Sequence, residues 1–379
     1  MHAGISGTLD RRQFVAAAAL ALGGCAGAAR IDKGPGAPSA RGPGRGPWAV
    51  ASPQSVGLQV ASLERAADQL GAAGERQGLV VVRGGRLVFE RYWANPWHRD
   101  EATWGNVSFS SGKSWGGAMV GRAITQGLLK LDDRAERYHP SAQSGLRPEV
   151  TIRHLLTMTS GGTLNVKPSS RPPRRLDQPA LAPSAGDEYR WQDKGETGSP
   201  PGYGRTIPAG GQFYYDGAAA DHLADIVAAA SGRSSHAYMM DELVRPLGCE
   251  VFAYQNEGVD RAGNIRIGGS ILLSCRDMAR LGQLYLDKGM WGGRQLIAAD
   301  YVTQSLTPSP LNPAYGFLWW LNASGRVTGA PRDMAFAAGA RGQFCFVLPS
   351  RDLVVATMGF GSAQLSADAA WAALGPALL

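Results

Sequence analysis

Two residues that together can form an activated nucleophile lie three positions apart in the chain. They are Ser110 and Lys113, within the segment SSGKS at residues 110–114. Residues i and i+3 share one face of a helix, so the lysine amine can reach the serine hydroxyl. A serine is a weak nucleophile until a base takes its proton, and a lysine can act as that base when burial favours its neutral form. The pair predicts Ser110 as a nucleophile and Lys113 as its general base.

The same segment also suggests a phosphate-binding loop, because Gly112-Lys113-Ser114 resembles the end of that motif. The motif requires a glycine five residues before Gly112, and the chain has Val107 there. A phosphate-binding loop is therefore excluded. A Ser-His-Asp triad stays open, although the histidines lie in no pattern with Ser110.

The elements that must position this pair follow from local patterns. Apolar runs around Gly84-Gly85 predict a hairpin over residues 79–89, and two further runs predict a second hairpin over residues 343–358. Helical spacing of apolar residues starts at Ser110. Further helices are predicted at 151–159, 218–230, 276–288 and 364–374, the last ended by Gly375-Pro376. Because each hairpin alone is marginal, strands from both ends of the chain should join around a helical insertion.

Residues 163–206 are Pro-rich, polar and aperiodic, which predicts a long loop. Two interpretations stay open. The loop is either a cap over the site, with Tyr189, Trp191 and Tyr203 as substrate contacts, or a mobile surface loop with aromatic residues packed onto the body.

Residues 1–28 have the layout of an export signal. Arg11 and Arg12 precede an apolar run at 16–22 that is too short to span a bilayer, and paired arginines predict the twin-arginine type. Leu22-Gly23-Gly24-Cys25 resembles a bacterial lipobox, in which Cys25 is lipidated, whereas residues 26–28 suit ordinary signal cleavage. The predicted location is the periplasm or, through a lipid on Cys25, the bacterial envelope, with no other membrane contact.

Composition indicates one large folded unit after this signal. Residues 29–47 are rich in Gly, Pro, Ala and Arg and predict a linker, and residues 48–379 predict the catalytic domain. The net charge of +7 does not indicate a nucleic-acid partner. Residues 1–47 alone contribute +4 of it, with six basic and two acidic residues, and no basic cluster in the sequence carries interleaved aromatic residues. The sequence does not predict an oligomeric state.

The four cysteines are Cys25, Cys249, Cys275 and Cys345. They form no Cys-x-x-Cys pair, and no histidine lies at metal-ligand spacing from them, so neither a zinc site nor any other metal or cofactor is predicted. The last three lie in mostly apolar stretches and are expected to be buried thiols.

From about residue 50 to the end, an ordered set of segments resembles the serine β-lactamase-like family. This family includes class C β-lactamases, DD-peptidases, related esterases and aminohexanoate-dimer hydrolases, and its first motif is a Ser-x-x-Lys at a helix start. The similar segments after 110–114 are TIRHLLTMTSG (151–161), PAGGQFYYDG (208–217), DMARLGQ (277–283), YGFLWW (315–320) and GARGQ (339–343). The resemblance implies an α/β (α+β) fold of the β-lactamase/transpeptidase type: an antiparallel sheet flanked by helices, with an all-helical region inserted.

The resemblance also implies further site residues. Tyr215 aligns with the family's catalytic tyrosine, which passes a proton to the leaving group. The backbone N–H of Ala340, expected on a strand, aligns with the second oxyanion donor beside that of Ser110.

Two departures from the family pattern bear on the substrate. Asp216-Gly217 replaces the usual Ser-Asn, which removes an amide that contacts substrate or Lys113. Arg341 stands where a lysine or histidine is expected, either as a partial substitute in substrate binding or as a solvated strand residue.

These departures favour an esterase or amidase resembling the aminohexanoate-dimer hydrolase branch, with an acyl-enzyme on Ser110 and a small-molecule ester or amide as substrate. Two alternatives stay open: β-lactamase or DD-peptidase activity at the same site, and a catalytically silent binding protein of this fold.

Overall fold

The structure is a computed structural model that describes residues 42–94, 100–163, 203–255, 259–260, 262–269, 271–360 and 364–379. These residues lie within one unit, Pro38–Leu379. The predicted export signal with Cys25, and all but the ends of the predicted long loop, lie outside the described residues. Within the described part of the chain, no helix is long and apolar enough to cross a membrane.

One antiparallel sheet of six strands joins the two ends of the chain. The strands of the described residues are β1 (Arg76–Arg83), β2 (Arg86–Tyr92), β3 (Asn106–Val107), β4 (Phe252–Tyr254), β5 (Ile271–Leu273), β6 (Met290–Trp291), β7 (Arg294–Gln295), β8 (Trp320–Leu321), β9 (Ala335–Gly339), β10 (Gln343–Leu348) and β11 (Leu353–Gly359). The order in the large sheet is β2-β1-β11-β10-β9-β8. Small sheets are formed by β3-β5-β4 and by β6-β7. This arrangement confirms the predicted pairing of strands from both ends.

Helices cover the sheet and fill the region between its two halves. Within the described ranges the α-helices are α1 (Val60–Ala72), α2 (Gly112–Thr125), α3 (Ser141–Ser144), α4 (Ile152–Leu156), α5 (Gly217–Ser231), α6 (Ser235–Met239), α7 (Arg245–Leu247), α8 (Cys275–Leu286), α9 (Ala299–Ser305) and α10 (Ala367–Leu378). Short 3-10 turns lie at Pro53–Val56, Phe109–Ser111, Ala135–Arg137, Ala340–Gly342 and Pro349–Arg351, and a π-turn at Met240–Val244. The chain therefore has the β-lactamase/transpeptidase-like architecture predicted from the resemblance.

The alternation of side chains along β1 divides the interior into two cores. Leu79 and Val81 belong to a core that α1 and α10 complete on one face of the sheet. Val80 and Val82 belong to the larger core on the other face, with α2 and α8. Successive side chains of a strand point to opposite faces, so a run of four apolar residues marks a strand covered on both sides.

Both predicted hairpins are confirmed. β1 and β2 are joined by Gly84 and Gly85, whose φ angles of 62° and 72° fit the positive-φ turn that hairpins favour. β10 and β11 pair from Phe344–Thr357 to Leu348–Leu353.

The last helix does not end where the sequence predicts. Gly375-Pro376 was expected to stop it, but α10 continues to Leu378 with Pro376 inside. Trp371, Leu374 and Leu378 are all at most 2% exposed. Burial of this apolar face outweighs the proline penalty, because ending the helix earlier would remove Leu378 from the core.

The described end of the predicted linker is bound to the body. Trp291 Nε1 donates to the carbonyl of Gly44 at 2.9 Å, and Arg280 Nη2 donates to that of Gly46 at 3.0 Å. The Trp48 ring packs edge-on against Trp291 at 6.0 Å. Residues 42–48 therefore belong to the folded surface, and the earlier part of the linker lies outside the described residues.

The described cysteines are free thiols. Cys275 and Cys345 are buried, as expected, whereas Cys249 is partly exposed. Burial raises the pKa of Cys345 to about 12, which keeps this thiol protonated and unreactive.

Candidate active site

Ser110 lies in a strained turn that the small sheet holds in place. The 3-10 turn Phe109–Ser111 leads into α2, and Phe109 has a φ of 47°, which an L-residue rarely adopts. Just before it, β3 pairs with β5, and the N–H of Ser108 donates to the carbonyl of Ile271 at 2.8 Å. Such strain persists only when the surroundings over-determine the backbone, and it concentrates at functional sites.

Lys113 reaches Ser110 from the first turn of α2. Its Nζ lies 3.0 Å from Ser110 Oγ and donates to the carbonyl of Gly268 at 2.6 Å. Lys113 is only 3% exposed, whereas Ser110 is partly open to solvent. The structure thus brings the two residues of the predicted pair into hydrogen-bond contact, with the amine buried and the hydroxyl accessible.

Gly268 supplies an acceptor that sequence reasoning missed. Its N–H donates to Asp221 Oδ1 on α5 at 3.1 Å, which fixes the backbone at Gly268, and its carbonyl faces Lys113. Gly217 stands where the family has an asparagine able to contact the lysine. The Gly268 carbonyl therefore provides a polar partner for Lys113 in the absence of that amide. A backbone carbonyl has no side-chain signature, so no sequence pattern identifies it.

Tyr215 lies beside the Ser110–Lys113 pair, just before α5. Lys113 Nζ is 5.0 Å from the centroid of the Tyr215 ring. The ring stacks on Trp320 at 5.5 Å and meets Tyr315 edge-on at 6.0 Å. Burial and the neighbouring Tyr215 hold the pKa of Tyr315 well above its usual range, so Tyr315 stays neutral. The structure therefore places the predicted tyrosine at the pair, within an aromatic wall.

Ala340 differs from the expectation that it lies on a strand. β9 ends at Gly339, and Ala340 opens the turn Ala340–Gly342, in which Arg341 has a φ of 63°. The reason is that Gly339 pairs with Gln343 of β10, so residues 340–342 form the three-residue connection between the two strands. Gly339 also lies close to the Ser110 turn, because a β-carbon at 339 would lie 2.2 Å from the carbonyl oxygen of Ser108. The chain leaves the sheet at this point, which presents Ala340 at the surface beside the turn that carries Ser110.

Arg341 packs on the site rather than extending along a strand. Its guanidinium lies 5.1 Å above the Phe109 ring, and its Nη1 is 3.5 Å from the carbonyl oxygen of Phe360. A cation over an aromatic face is attracted by the ring quadrupole. The expectation of a strand residue is therefore wrong, because Arg341 belongs to the turn and covers the residue before Ser110.

Arg76, which sequence reasoning also missed, binds the backbone of the turn Ala340–Gly342 through hydrogen bonds. Its Nη1 donates to the carbonyl of Arg341 at 3.1 Å. Its Nη2 donates to the carbonyl of Gly342 at 2.6 Å and to Thr357 Oγ1 at 2.9 Å. Burial lowers the pKa of Arg76 to about 10, so the guanidinium stays charged at neutral pH. Its partners lie more than 260 residues later in the chain, which leaves no local signal.

Tyr203 packs into the body beneath the tyrosine motif. Its hydroxyl donates to Asp216 Oδ2 at 2.8 Å, and its ring lies 4.5 Å from that of Tyr214. Tyr203 is 3% exposed. Of the two interpretations of the loop aromatics, packing onto the body describes Tyr203, while Tyr189 and Trp191 lie outside the described residues.

Residues 112–116 also match the Gly-x-Ser-x-Gly pattern of the α/β-hydrolase nucleophile elbow. Ser114, its serine, is 1% exposed inside α2, and its Oγ donates to the carbonyl of Leu318 at 2.7 Å. An elbow places the serine on an exposed strand-to-helix turn. The match is therefore incidental, and Ser110 is the accessible serine of this segment.

Fold and site geometry together define a β-lactamase-type serine hydrolase scaffold. The Beta-lactamase family model matches residues 63–374, and the chain belongs to that family.

Among individual proteins, the chain is 25% identical over 346 residues to an uncharacterized protein of Alkalihalophilus pseudofirmus, covering 82% of this chain and 90% of that protein. A solved structure from Bacillus anthracis, named provisionally as a 6-aminohexanoate-dimer hydrolase, is similar with a TM-score of 0.62 at 18% identity, over 82% of this chain and 79% of that chain. A family VIII carboxylesterase gives a TM-score of 0.61 at 14% identity, over 85% and 98%. At these identities the solved structures are similar in fold.

Proposed function

We propose that the protein hydrolyses a small-molecule ester or amide through an acyl-enzyme on Ser110. Lys113 takes the proton of the hydroxyl as its oxygen attacks the substrate carbonyl. The backbone N–H groups of Ser110 and Ala340 stabilise the oxyanion of the tetrahedral intermediate. Tyr215 passes a proton to the departing oxygen or nitrogen, and a water molecule then releases the acyl group as an acid.

The observation that carries this proposal is the 3.0 Å contact between Lys113 Nζ and Ser110 Oγ. The distance is within the range required of a nucleophile and its base. The different environments of the two groups add support, because a buried amine facing an accessible hydroxyl suits proton abstraction from a residue that substrate can reach.

The third motif favours esters or simple amides over β-lactams. Within the described turn after β9, the cationic side chain is that of Arg341, which rests over Phe109 and points to the Phe360 carbonyl. A β-lactam needs a cation directed at its carboxylate, whereas a simple ester does not.

Covalent labelling with a fluorophosphonate tests the nucleophile. We expect the wild type to be labelled and Ser110→Ala to be unlabelled. Ser111→Ala is the matched control, since Ser111 is the adjacent serine, and its Oγ donates to the carbonyl of Ser108 at 2.7 Å and not to Lys113. Equal labelling of wild type and Ser110→Ala would refute the assignment, and a folded wild type that takes no label would favour a silent binding protein.

Turnover then separates the substrate classes. The wild type should hydrolyse p-nitrophenyl esters faster than a chromogenic cephalosporin, and Lys113→Met should abolish both activities. Faster turnover of the cephalosporin would instead assign β-lactamase activity to this site.

A further inference from the structure

Away from Ser110, the helical region brings two histidines and an aspartate together. His222 and Asp225 lie three residues apart on α5 and so share one face of the helix. His139 approaches them from the segment between the turn Ala135–Arg137 and α3. One nitrogen of each histidine and one oxygen of the carboxylate all lie within 4.8 Å of one another.

The cluster is buried, and its spacing is wider than direct hydrogen bonds require. His222 is 0% exposed, His139 7% and Asp225 9%. His139 Nε2 lies 3.9 Å from Asp225 Oδ2, beyond hydrogen-bond distance, and the two imidazole rings are 5.4 Å apart between centroids. The three ligand atoms are therefore close enough for one ion to reach all of them after small side-chain movements.

From this arrangement we infer a binding site for one divalent transition-metal ion, with zinc as the first choice. Two imidazole nitrogens and one carboxylate oxygen are the ligand types that zinc prefers. Ligand atoms around tetrahedral zinc are about 3.4 Å apart, so the side chains need to close by about 1 Å. A water molecule completes the coordination, as in other sites with three protein ligands.

Asp225 is already oriented for this role. Asn264 Nδ2 donates to Asp225 Oδ1 at 2.9 Å, which leaves Oδ2 directed toward His139. Asn264 is itself fixed, because its Oδ1 accepts from the N–H of Ser235 at 3.1 Å. Such outer hydrogen bonds set the direction of a metal-binding carboxylate.

The site bears on the stability of the catalytic region. α5 also carries Asp221, whose carboxylate holds the N–H of Gly268, the residue that accepts from Lys113. A metal joining α5 to His139 would therefore tighten the helix that supports the base. The sequence predicts no metal here, because His139 is distant along the chain from His222 and Asp225 and the three residues form no local ligand spacing.

Metal binding is tested on the full chain without a polyhistidine tag, since such a tag binds zinc itself. The protein is stripped with a chelator, given one equivalent of zinc chloride, gel-filtered and analysed for bound metal. We expect about one zinc per chain and a rise in Tm of about 5 °C with excess zinc. Asp225→Asn and His222→Asn should lose both effects, whereas His236→Asn, a histidine outside the cluster, should keep them. Ser110→Ala should also keep them, which separates this inference from the hydrolase proposal.

A cobalt(II) spectrum keeps the inference testable if the cluster variants fail to fold. The wild type should show visible d–d bands of a nitrogen- and oxygen-ligated ion without a thiolate charge-transfer band. A thiolate band would assign the metal to a cysteine and overturn the inference. Failure of the folded wild type to retain zinc, or equal retention by Asp225→Asn, would overturn it as well.

Discussion

Replacing Gly339 with alanine should separate β9 from the turn that carries Ser110. A β-carbon at 339 would lie 2.2 Å from the carbonyl oxygen of Ser108 and 3.0 Å from the backbone nitrogen of Ser111. Ordinary van der Waals contact begins near 3.4 Å, so the two backbones must move apart by about 1 Å. The Ser108 carbonyl cannot simply rotate away, because it accepts from Ser111 N at 3.2 Å and from Ser111 Oγ at 2.7 Å.

The magnitude follows from what lies on each side of this contact. Overpacking a tight site costs about 1–3 kcal/mol of unfolding free energy. The proposed oxyanion donors, the N–H groups of Ser110 and Ala340, belong to the two segments that are forced apart. A misplacement of about 1 Å at reacting groups can lower the rate about 10²-fold. Gly339→Ala should therefore lose far more kcat than its loss of stability explains.

The assay is p-nitrophenyl ester hydrolysis below the Tm of the variant, with Tm measured in parallel. Gly46→Ala is the matched control, because its β-carbon would meet only the carbonyl oxygen of Pro43, at 3.4 Å, far from the site. If Gly339→Ala kept the wild-type kcat and Tm, the close approach would not position the oxyanion donors, and the reasoning would fail.

Two further predictions concern stability. Arg76→Leu removes charged hydrogen bonds to the carbonyls of residues 341–342 and should lower the free energy of unfolding, measured in urea, by about 3 kcal/mol. The control is Arg65→Leu, which changes an exposed arginine and should leave this free energy almost unchanged. A decrease below about 1 kcal/mol for Arg76→Leu would contradict the prediction. Burial lowers the pKa of His154 below 6.5, and its Nδ1 accepts from the N–H of Thr151, so the folded state binds this proton less readily than the unfolded state. The stabilisation is therefore present above about pH 6.5 and lost as the pH falls toward the lowered pKa, and the stability advantage of wild type over His154→Gln should shrink between about pH 7.5 and pH 5. A constant difference across this range would show that His154 does not titrate in this way.

Local patterns predicted the elements that local interactions determine. The Gly84-Gly85 hairpin depends on two adjacent residues with positive φ, and such a turn is visible in the sequence. Ser110 and Lys113 meet because a helical turn joins them, so their spacing alone predicted the contact. The fold as a whole came from the order of several family-like segments, since no single motif determines how strands from the two ends of the chain pair.

Features that depend on contacts between distant parts of the chain could not be predicted from the sequence. Arg76 donates to a turn at the other end of the chain, and Gly268 presents only a backbone carbonyl to Lys113. Pro376 predicts a helix stop through its local penalty, whereas the burial of Leu378 that outweighs this penalty depends on the tertiary fold. His139 was likewise separated along the chain from the two helical residues that it meets.

The pairing of β1 with β11 also constrains how this protein is made. β1 lies near the start of the folded chain, and its neighbour on the inner side is the last strand, which ends at Gly359. Until β11 has been synthesised, β1 lacks the strand that pairs with it on that side, and the β1–β2 hairpin alone is only marginally stable. Contacts this distant make folding slow and expose such edges to aggregation. Truncation before β11 would therefore remove the inner strand that joins β1 to β10, and with it the link between the two halves of the sheet.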